Sequence, residues 1–376
     1  MFQVAAKHTI PEPRHIDTHR AAISSVRFSP DGKRIIIGGE DGTVRPYEVD
    51  VGSDHTGTEM EIPAHAMEVS SAQIVSRDGR WIILTADKGR RIAVWDTITH
   101  KRTVESAMAH EQTITTLDVS SDASKIASGS RDGAVIVWCL ETGQRLAGPF
   151  QQEQSVLSVR FSPGGDRLAS SGWNFSIRVW NICSDGNQAV AYIPTEPAYS
   201  LAWSSDGRRL TAGCYRGSIV CFDVSSSTPT TPNWPNHPHF DSISTLRLSN
   251  NNRFIISASG SDCSVKIWDV HGRSELGSLK HSGEVLDADI SPNDWQLVSG
   301  TRDGKITLWD IRKVLPSHYF FYVSFASCLI RHPVLSHWIV FDCFPGVLLS
   351  FGLTSCRKLS QLFEIWSRSH PSSCER

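Results

Sequence analysis

The sequence predicts an all-β protein assembled from seven similar units of short antiparallel strands. An aromatic residue closes each unit, and these residues recur at intervals of 41 to 48 positions: Tyr47, Trp95, Trp138, Trp180, Phe222, Trp268 and Trp309. In six units, alternating apolar residues flank a turn of Ser, Pro, Asp or Gly, which is the sequence pattern of a β-hairpin. No helical segment stands out. A repeat near 40 residues indicates a repeat architecture.

Each unit supplies the same elements in the same order. A hairpin comes first, as in VRFSPDGKRIII of unit one and VRFSPGGDRLAS of unit four. A second turn follows, and alternating apolar residues around the aromatic one then predict another strand. In chain order, the closing stretches are GGEDGTVRPYEVD, DKGRRIAVWDT, GSRDGAVIVWCL, SGWNFSIRVWN, GCYRGSIVCFDV, GSDCSVKIWDV and GTRDGKITLWDI.

This pattern resembles the WD40-repeat family, and the chain is similar to the stand-alone WD40-repeat proteins of fungi. The resemblance covers roughly residues 12 to 312 and rests on the period, the turns and the terminal Trp-Asp pairs. It implies that each unit is a four-stranded antiparallel blade and that seven blades close a ring with only short, protected edges. The predicted fold is therefore a seven-bladed WD40 β-propeller with a C-terminal tail outside it.

The resemblance divides the chain into three segments. Residues 1–18 are expected to supply the outer strand of blade seven, because propellers of this family close with a strand from the other end of the chain. Residues 19–316 form the propeller, and residues 317–376 form an atypical hydrophobic tail. The stretch SHYFFYVSF (317–325) is a competing candidate for the outer strand.

The tail breaks the repeat pattern completely. It has no Trp-Asp pair, and the run from Val314 to Ile330 contains no Asp, Glu, Lys or Arg. Pro316 weakens this run as a membrane span, and Asp342 and Pro345 interrupt a second apolar run, so membrane association is not expected. The abundance of Phe, Ser, Leu, Val and Cys is typical of translated non-coding sequence and indicates an artefact of gene prediction.

His, Ser, Asp and Trp recur at matching offsets in three units. A hydrolase triad is one geometry at one site, so three copies favour a structural role. The pattern resembles the buried hydrogen-bonded tetrad of WD40 proteins, in which Ser and Asp are partners for the imidazole and the Trp N–H. The predicted tetrads are His110, Ser128, Asp132 and Trp138 in unit three, His239, Ser257, Asp262 and Trp268 in unit six, and His281, Ser299, Asp303 and Trp309 in unit seven.

The other four units are degraded copies of this pattern. Their departures are Ile37 for Ser in unit one, a turn stretched around Asp87 and Lys88 in unit two, Gln152 and Asn174 for His and Asp in unit four, and Phe222 for Trp in unit five. The segment after unit five, SSSTPTTPNWPNHPHF (225–240), holds four prolines. Because proline cannot donate a backbone hydrogen bond, we expect the outer strand of that blade to be poor.

Composition and motifs argue against catalysis. The net charge is −2, so no nucleic-acid partner is expected. The sequence lacks a phosphate-binding loop, a zinc-protease motif and a nucleophile elbow. An enzyme would need a convergent cluster of groups with perturbed pKa in the channel. We predict no catalytic residue, cofactor, metal or small-molecule substrate. Nine cysteines without a C-x-x-C pair predict a cytoplasmic or nuclear location.

The predicted function is a non-catalytic protein-interaction scaffold, because a rigid propeller presents its loops to partners. By resemblance, the residue before each tetrad Asp points to the top face near the channel. Exposed Trp, Tyr and Arg dominate interface hot spots, and arginines suit an acidic or phosphorylated peptide. The alternative is that these side chains pack on neighbours or are merely solvated. The predicted partner-binding residues are Glu40, Arg131, Trp173, Tyr215, Ser261 and Arg302.

A second hypothesis concerns the end of unit seven. LVSGTRDGKITLWDIR (297–312) resembles the docking box with which some WD40 proteins bind the damaged-DNA-binding adaptor of cullin-RING ubiquitin ligases. The resemblance implies that the Arg after Trp-Asp-x contacts the adaptor. Arg312 would then be the docking residue and the chain a substrate receptor. Most of the box, however, is shared with any regular WD40 blade.

Overall fold

The computed structural model describes residues 14–16, 21–49, 61–97, 99, 101–106, 109–182, 189–226, 228–229, 234, 238–320, 328–331 and 338–341. The chain divides into two compact units, Met1–Phe320 and Phe321–Arg376. The first unit thus extends four residues beyond the predicted boundary at 316. The remaining residues of the predicted N-terminal segment and tail lie outside the described residues.

Four-stranded antiparallel sheets form the first unit. A short strand, β1 (Arg14–Ile16), precedes the blades. Blade one contains β2 (Ile23–Phe28), β3 (Arg34–Gly39), β4 (Thr43–Glu48) and β5 (Ile62–Pro63). Blade two contains β6 (Val69–Arg77), β7 (Arg80–Asp87), β8 (Ile92–Asp96) and β9 (Lys101–Ser106). Blade three contains β10 (Ile114–Val119), β11 (Lys125–Ser130), β12 (Ala134–Cys139) and β13 (Arg145–Gln151).

The remaining blades follow the same plan. Blade four contains β14 (Val156–Phe161), β15 (Arg167–Gly172), β16 (Ser176–Asn181) and β17 (Ala189–Pro194). Blade five contains β18 (Ala198–Trp203), β19 (Arg209–Cys214), β20 (Ile219–Asp223) and β21 (Thr228–Pro229). Blade six contains β22 (Ile243–Leu248), β23 (Phe254–Ser259), β24 (Ser264–Asp269) and β25 (Glu275–Lys280). Blade seven contains β26 (Val285–Ile290), β27 (Gln296–Thr301) and β28 (Ile306–Asp310) together with β1.

Two 3-10 turns, Ile311–Lys313 and Ser317–Tyr319, complete the first unit. The first strand of each blade packs beside the first strand of the next, and β26 of blade seven packs beside β2 of blade one. The seven blades therefore close a ring, which confirms the predicted seven-bladed propeller. The second unit contains the antiparallel strands β29 (Cys328–Arg331) and β30 (Trp338–Phe341). Within the described residues, no helix is long and apolar enough to cross a membrane.

The hydrophobic core lies between neighbouring blades rather than inside any one of them. One cluster joins Val135 and Phe150 of blade three to Val156 and Leu168 of blade four, and all four side chains are at most 1% exposed. Alternation along each strand produces this arrangement, because successive side chains point to opposite faces of a sheet. Each blade thus buries both faces only when it has a neighbour on each side.

The N-terminal strand β1 occupies the outer position of blade seven. It pairs antiparallel with β28, and Ile16 lies opposite Ile306. Ile16 is 2% exposed and packs with Val298 and Leu308 of blade seven in a cluster that reaches blade one. The competing stretch at 317–325 begins instead with a 3-10 turn, and the buried Tyr319 packs against Phe254 of blade six.

Blade five has a short outer strand, as expected from the prolines in and after it. Its outer strand β21 is two residues long. Beyond it, Trp234 is 6% exposed and contacts Trp268 edge-on, with ring centroids 6.0 Å apart. An apolar side chain therefore covers blade six where a longer strand is absent from blade five.

The predicted tetrads of blades three and six come together in the structure. In blade six, His239 Nδ1 lies 2.7 Å from Asp262 Oδ2, and His239 Nε2 lies 2.7 Å from Ser257 Oγ. Trp268 Nε1 donates to the same Ser257 hydroxyl at 2.8 Å. Blade three repeats these contacts with distances of 3.1, 2.7 and 2.8 Å among His110, Asp132, Ser128 and Trp138. Each tetrad ties the loop before a blade to its second and third strands.

Blade two carries a further tetrad that the sequence analysis missed. His65 contacts Asp87 Oδ2 at 3.1 Å and the Thr85 hydroxyl at 2.7 Å, and Trp95 Nε1 donates to that hydroxyl at 3.1 Å. Thr85 replaces the usual Ser, and the His precedes it by 20 positions instead of 18. The sequence signal for this tetrad was Thr85, a residue with a hydroxyl group ten positions before Trp95.

Blade seven does not assemble the tetrad predicted for it. His281 Nε2 contacts Ser299 Oγ at 2.6 Å, but its Nδ1 contacts the Leu279 carbonyl oxygen at 3.2 Å instead of Asp303. Asp303 accepts from Lys305 Nζ at 2.9 Å. Trp309 Nε1 is buried and has no hydrogen-bond partner among the described atoms. Thr301 and Ser282 hydroxyl groups also donate to Asp303, so its carboxylate contacts these groups and Lys305 instead of His281.

The other blades replace the tetrad with apolar or amide side chains. In blade four, Gln152 Nε2 and Trp180 Nε1 both donate to Ser170 Oγ, and Asn174 has no hydrogen-bond partner among the described side chains. Tyr47 of blade one and Phe222 of blade five are fully buried in the core. His19 of blade one lies outside the described residues.

Ser257→Ala is expected to destabilise the protein more than Ser299→Ala. The first change leaves both Nε2 of His239 and the N–H of Trp268 without a hydrogen-bond partner, whereas the second affects only Nε2 of His281. At roughly 1.5 kcal/mol for each orphaned group, we expect losses of about 3 and about 1.5 kcal/mol in the free energy of unfolding. Urea unfolding measures both, and equal losses would contradict the difference between the blades.

His281 should make stability depend on pH. Burial lowers the pKa of His281 from 6.5 to about 4, so the unfolded chain takes up the proton first as the pH falls. The contribution of His281 to the free energy of unfolding is constant above about pH 7 and is lost between about pH 6.5 and pH 4. We expect a loss of about 2 kcal/mol between pH 7.5 and pH 5 that is absent in His281→Gln. Urea unfolding of both proteins at the two pH values tests this, and parallel profiles would disprove it.

Candidate functional site

The six residues predicted to bind partners lie in the turns that join the second and third strands of six blades. In five turns, the backbone N–H of this residue donates at 2.8 to 3.1 Å to the segment entering the same blade. These donor and acceptor residues are Glu40 and Ala22, Arg131 and Thr113, Trp173 and Ser155, Tyr215 and Pro197, and Arg302 and Glu284. The Ser261 hydroxyl donates to Asp241 Oδ2 at 2.5 Å in blade six. This shared geometry places all six residues at one end of the blades, which we call the turn face.

Trp173 and Tyr215 form an aromatic cluster with Tyr199 on the turn face. The rings of Trp173 and Tyr215 meet edge-on with centroids 5.4 Å apart, and Tyr199 lies 5.9 Å from Trp173 and 6.3 Å from Tyr215. Tyr215 is 44% exposed, and Trp173 and Tyr199 are half-buried. Burial, helped by Tyr215 and Asp241, raises the pKa of Tyr199, which therefore stays neutral. The cluster presents apolar ring surface across blades four and five.

Tyr199 was missed by the sequence analysis, although the repeat contained a signal for it. Tyr199 is the second residue of β18, in an inner strand of the ring. The corresponding residues of the other blades are Ser24, Ser70, Thr115, Leu157, Ser244 and Leu286. A large aromatic residue where most blades have a hydroxyl therefore marks a local difference in the face.

Phe240 extends the apolar surface toward blade six. Its side chain is 94% exposed, and it follows directly after His239 of the blade-six tetrad. The turn that carries Tyr215 packs onto this segment, because a Cβ at Gly217 would lie 2.2 Å from the His239 carbonyl oxygen. Gly217 also has a φ of +75°, so both space and backbone conformation require glycine.

The two arginines of the turn face differ in whether they form an ion pair. Arg302 Nε donates to Glu284 Oε2 at 2.5 Å, although the Arg302 side chain is 60% exposed. Arg131 is exposed and has no ion pair within the part of the chain that the structure describes. The Arg131 carbonyl accepts from the Ser155 hydroxyl at 3.2 Å, and the Ser155 carbonyl accepts from the Trp173 N–H. Arg131 is therefore an uncommitted cation in the blade next to Trp173, and its main chain is connected through Ser155 to that of Trp173.

A cluster of charged side chains lies along the inner strands of the ring. Five of its members are the fifth residue of their strands, and the sixth member, Asp287, is the third residue of β26. The central cluster consists of Arg27, Asp118, Arg160, Arg247, Asp287 and Asp289. These side chains are 6% to 18% exposed. Three cations and three anions leave the cluster neutral in total.

Each carboxylate of the central cluster joins one blade to another. Asp287 pairs with Arg27, accepts from the Val26 N–H at 3.0 Å and accepts from the Thr245 hydroxyl at 2.5 Å, which links blades seven, one and six. Asp118 of blade three accepts from the Phe161 N–H of blade four at 2.7 Å. The carboxylates thus satisfy backbone groups of neighbouring blades.

The pKa shifts in the central cluster follow from burial and from mutual repulsion. Burial, with the nearby charges of Arg27 and Arg160, lowers the pKa of Arg247 to about 9. Burial opposes ionisation of Asp287, but Arg27 and Arg247 outweigh it and lower the pKa of Asp287. The cluster has the perturbed pKa values that an enzyme would need. Its carboxylates, however, are engaged in contacts between blades.

Arg312 lies in the 3-10 turn after β28 and is held within its own chain. Its Nε and Nη2 donate to the two oxygens of Asp310 at 2.9 and 2.8 Å, and its guanidinium lies 4.9 Å from the ring centre of Trp295. The Arg312 side chain is nevertheless 43% exposed. An acidic group of a partner would compete with Asp310, and adaptor docking stays a prediction of the sequence alone.

Family comparisons match the propeller rather than the tail. The model described as the IFT122 first beta-propeller matches residues 69–319, and the model of the WD domain, G-beta repeat, matches residues 12–45.

In the described residues, no group of three or more His, Cys, Asp or Glu side chains could hold a metal ion.

Curated relatives match parts of the chain. The chain is 31% identical over 115 residues to a 66 kDa stress protein of Physarum polycephalum, which covers 31% of this chain and 18% of that protein. It is 24% identical over 135 residues to a guanine nucleotide-binding protein subunit beta of Arabidopsis thaliana, covering 34% of each. The corresponding subunit of Oryza sativa subsp. indica is 29% identical over 133 residues, 34% of this chain and 35% of that one.

The chain therefore spans about a fifth to a third of the length of these relatives. The repeat period and the closed ring of blades agree with the descriptions of these family models. Because the first of those models covers well over half of the chain, the protein belongs to the WD40-repeat β-propeller family.

Proposed function

We propose that this propeller is a non-catalytic interaction scaffold that binds a peptide segment of a partner protein on its turn face. The observation that carries the proposal is the aromatic cluster of Trp173, Tyr199 and Tyr215 on the same face as an uncommitted Arg131 in the adjacent blade. Trp, Tyr and Arg are the residue types that dominate the energetics of protein interfaces. The fold supports the general role, because WD40 propellers present loops on a rigid frame.

The bound segment combines an apolar side chain with an acidic or phosphorylated one. The apolar side chain packs on the rings of Tyr215 and Phe240, which are 44% and 94% exposed. The acidic group pairs with Arg131, since an arginine fork matches carboxylate and phosphate geometry. Arg302 is a weaker candidate for this contact than the sequence indicated, because Glu284 already neutralises it.

Three features support a binding role without catalysis. The carboxylates of the central cluster are engaged with arginines, hydroxyls or backbone N–H groups of neighbouring blades. The tetrad histidines of blades two, three and six each contact both an Asp and a hydroxyl group. The net charge of −2 gives no general attraction to nucleic acid. We place the scaffold in the cytoplasm or the nucleus.

Tyr215→Ala should weaken peptide binding by about 30-fold or more, as expected for an interface hot spot. Peptides selected by display on the full chain are titrated against the native protein and the variant by calorimetry. Tyr192→Ala is the matched control, because Tyr192 is 55% exposed but lies on the outer strand of blade four. We expect selected peptides to share an apolar residue near Asp, Glu or a phosphorylated residue. Selected peptides that bind Tyr215→Ala as tightly as the native chain would overturn the proposal.

A further inference from the structure

Phe175 occupies a position in the turn of blade four where four other blades have glycine. It lies two residues after Trp173, and its carbonyl oxygen accepts from the Thr195 N–H at 3.0 Å. The corresponding residues of the other six blades, all with a positive φ, are Gly42, Arg90, Gly133, Gly217, Cys263 and Gly304. Blade four therefore carries a large side chain in a backbone conformation that favours glycine.

This position is unfavourable for an aromatic residue. The φ of Phe175 is +56°, which is uncommon for residues other than glycine, and more so for bulky ones. In the corresponding turns of blades one, three and five, a Cβ would lie within 2.6 Å of a backbone carbonyl oxygen, so those turns leave no room for a side chain. A bulky residue held in such a conformation indicates a role other than stability.

Blade four also lacks the carboxylate that fixes the same turn in blade three. There, Asp132 accepts from the N–H groups of Glu111 and Ala134, both at 2.8 Å. Asn174 replaces this aspartate and has no hydrogen-bond partner among the described side chains. The turn of blade four is therefore held by fewer side-chain contacts, yet it presents a Phe175 side chain that is 61% exposed.

Blade four lies between the two contacts proposed for the bound peptide. Arg131, which pairs with the acidic group, is in blade three, and Tyr215, which contacts the apolar group, is in blade five. A segment that reaches both residues crosses blade four, where Phe175 exposes its ring. Because burial of apolar surface is favourable and burial of an unpaired charge is not, this ring selects an apolar side chain of the segment.

We propose that Phe175 is a second apolar anchor for the bound segment, an inference that rests on the proposed peptide binding. The segment then carries two apolar side chains, one on Tyr215 and Phe240 and the other on Phe175, and an acidic or phosphorylated group at Arg131. The residue that contacts Phe175 lies between the other two in the partner's sequence. This order, in either chain direction, distinguishes the preferred partner from acidic peptides with a single apolar residue.

Phe175→Gly should weaken binding of the display-selected peptides about 10-fold without lowering the urea midpoint of unfolding. Glycine adopts a positive φ without steric cost, so the change removes the ring and relieves the backbone together. Calorimetric titration of the full chain measures the affinity, and urea unfolding measures the stability. Phe175→Leu keeps an apolar side chain and should bind within about threefold of the native chain.

Cys263→Gly is the matched control. Cys263 occupies the same position in blade six, with a φ of +47°, and its side chain is half-buried. The substitution makes the same backbone change without removing an aromatic ring. We therefore expect native affinity for the selected peptides.

A change in the peptide completes the test. Replacing its central apolar residue with alanine should weaken binding to the native chain about 10-fold. The same replacement should cost less than about twofold with Phe175→Gly, because the contact is already lost in that variant. This comparison assigns the central residue to Phe175 rather than to another part of the turn face.

Three results would overturn the second anchor. They are native peptide affinity in Phe175→Gly, a lower unfolding midpoint in that variant, and an equal cost of the alanine replacement with both chains. If Tyr215→Ala still weakens binding in those cases, the proposed peptide binding stands and only the role of Phe175 is wrong. Selected peptides that bind Tyr215→Ala as tightly as the native chain would overturn the proposed function and this inference together.

Discussion

Every blade of the propeller packs between two neighbours, so the fold depends on the junction that joins blade seven to blade one. Strand β1 pairs with β28 there, and Ile16 enters the core between the two blades. Closer to the axis, Asp287 and Asp289 of β26 accept from the backbone N–H groups of Val26 and Phe28 in β2. Without this junction, blades one and seven would each expose an apolar face. The N-terminal strand therefore stabilises the whole ring, although it is only three residues long.

The closed ring explains why the turns of neighbouring blades can form one surface. Tetrads in blades two, three and six fix the loops that enter these blades, and the central cluster joins the inner strands to one another. This frame holds the turns at fixed positions, so Trp173 and Tyr215 of adjacent blades meet at 5.4 Å. Blade seven differs because Asp303 contacts Lys305, and the buried N–H of Trp309 has no hydrogen-bond partner among the described atoms. The same four residue types therefore form a tetrad in some blades but not in blade seven.

The repeat in the sequence predicted the number of blades and the positions of the turns, because both depend on local periodicity. The Thr85 tetrad was missed since Thr replaces Ser and the spacing from the His is two residues longer. The charged residues of the central cluster were visible as Arg27 in VRF and Asp118 in LDV, but only ring closure brings them together. The contact of Lys305 with Asp303 depends on side-chain geometry. Spacing alone therefore could not distinguish blade seven from blade six.

Disulfide cross-linking of His15→Cys with Thr307→Cys in the full chain tests ring closure most directly. These residues are direct partners in the β1–β28 pairing, and opposite residues of antiparallel strands lie about 4.5 to 5.5 Å apart between Cα atoms, within disulfide range. We expect mild oxidation to link the two positions, as mapped by mass spectrometry, and to raise the free energy of unfolding by about 4 kcal/mol because the bond closes a very long loop. Failure of these positions to cross-link in the folded protein would contradict closure by the N-terminal strand.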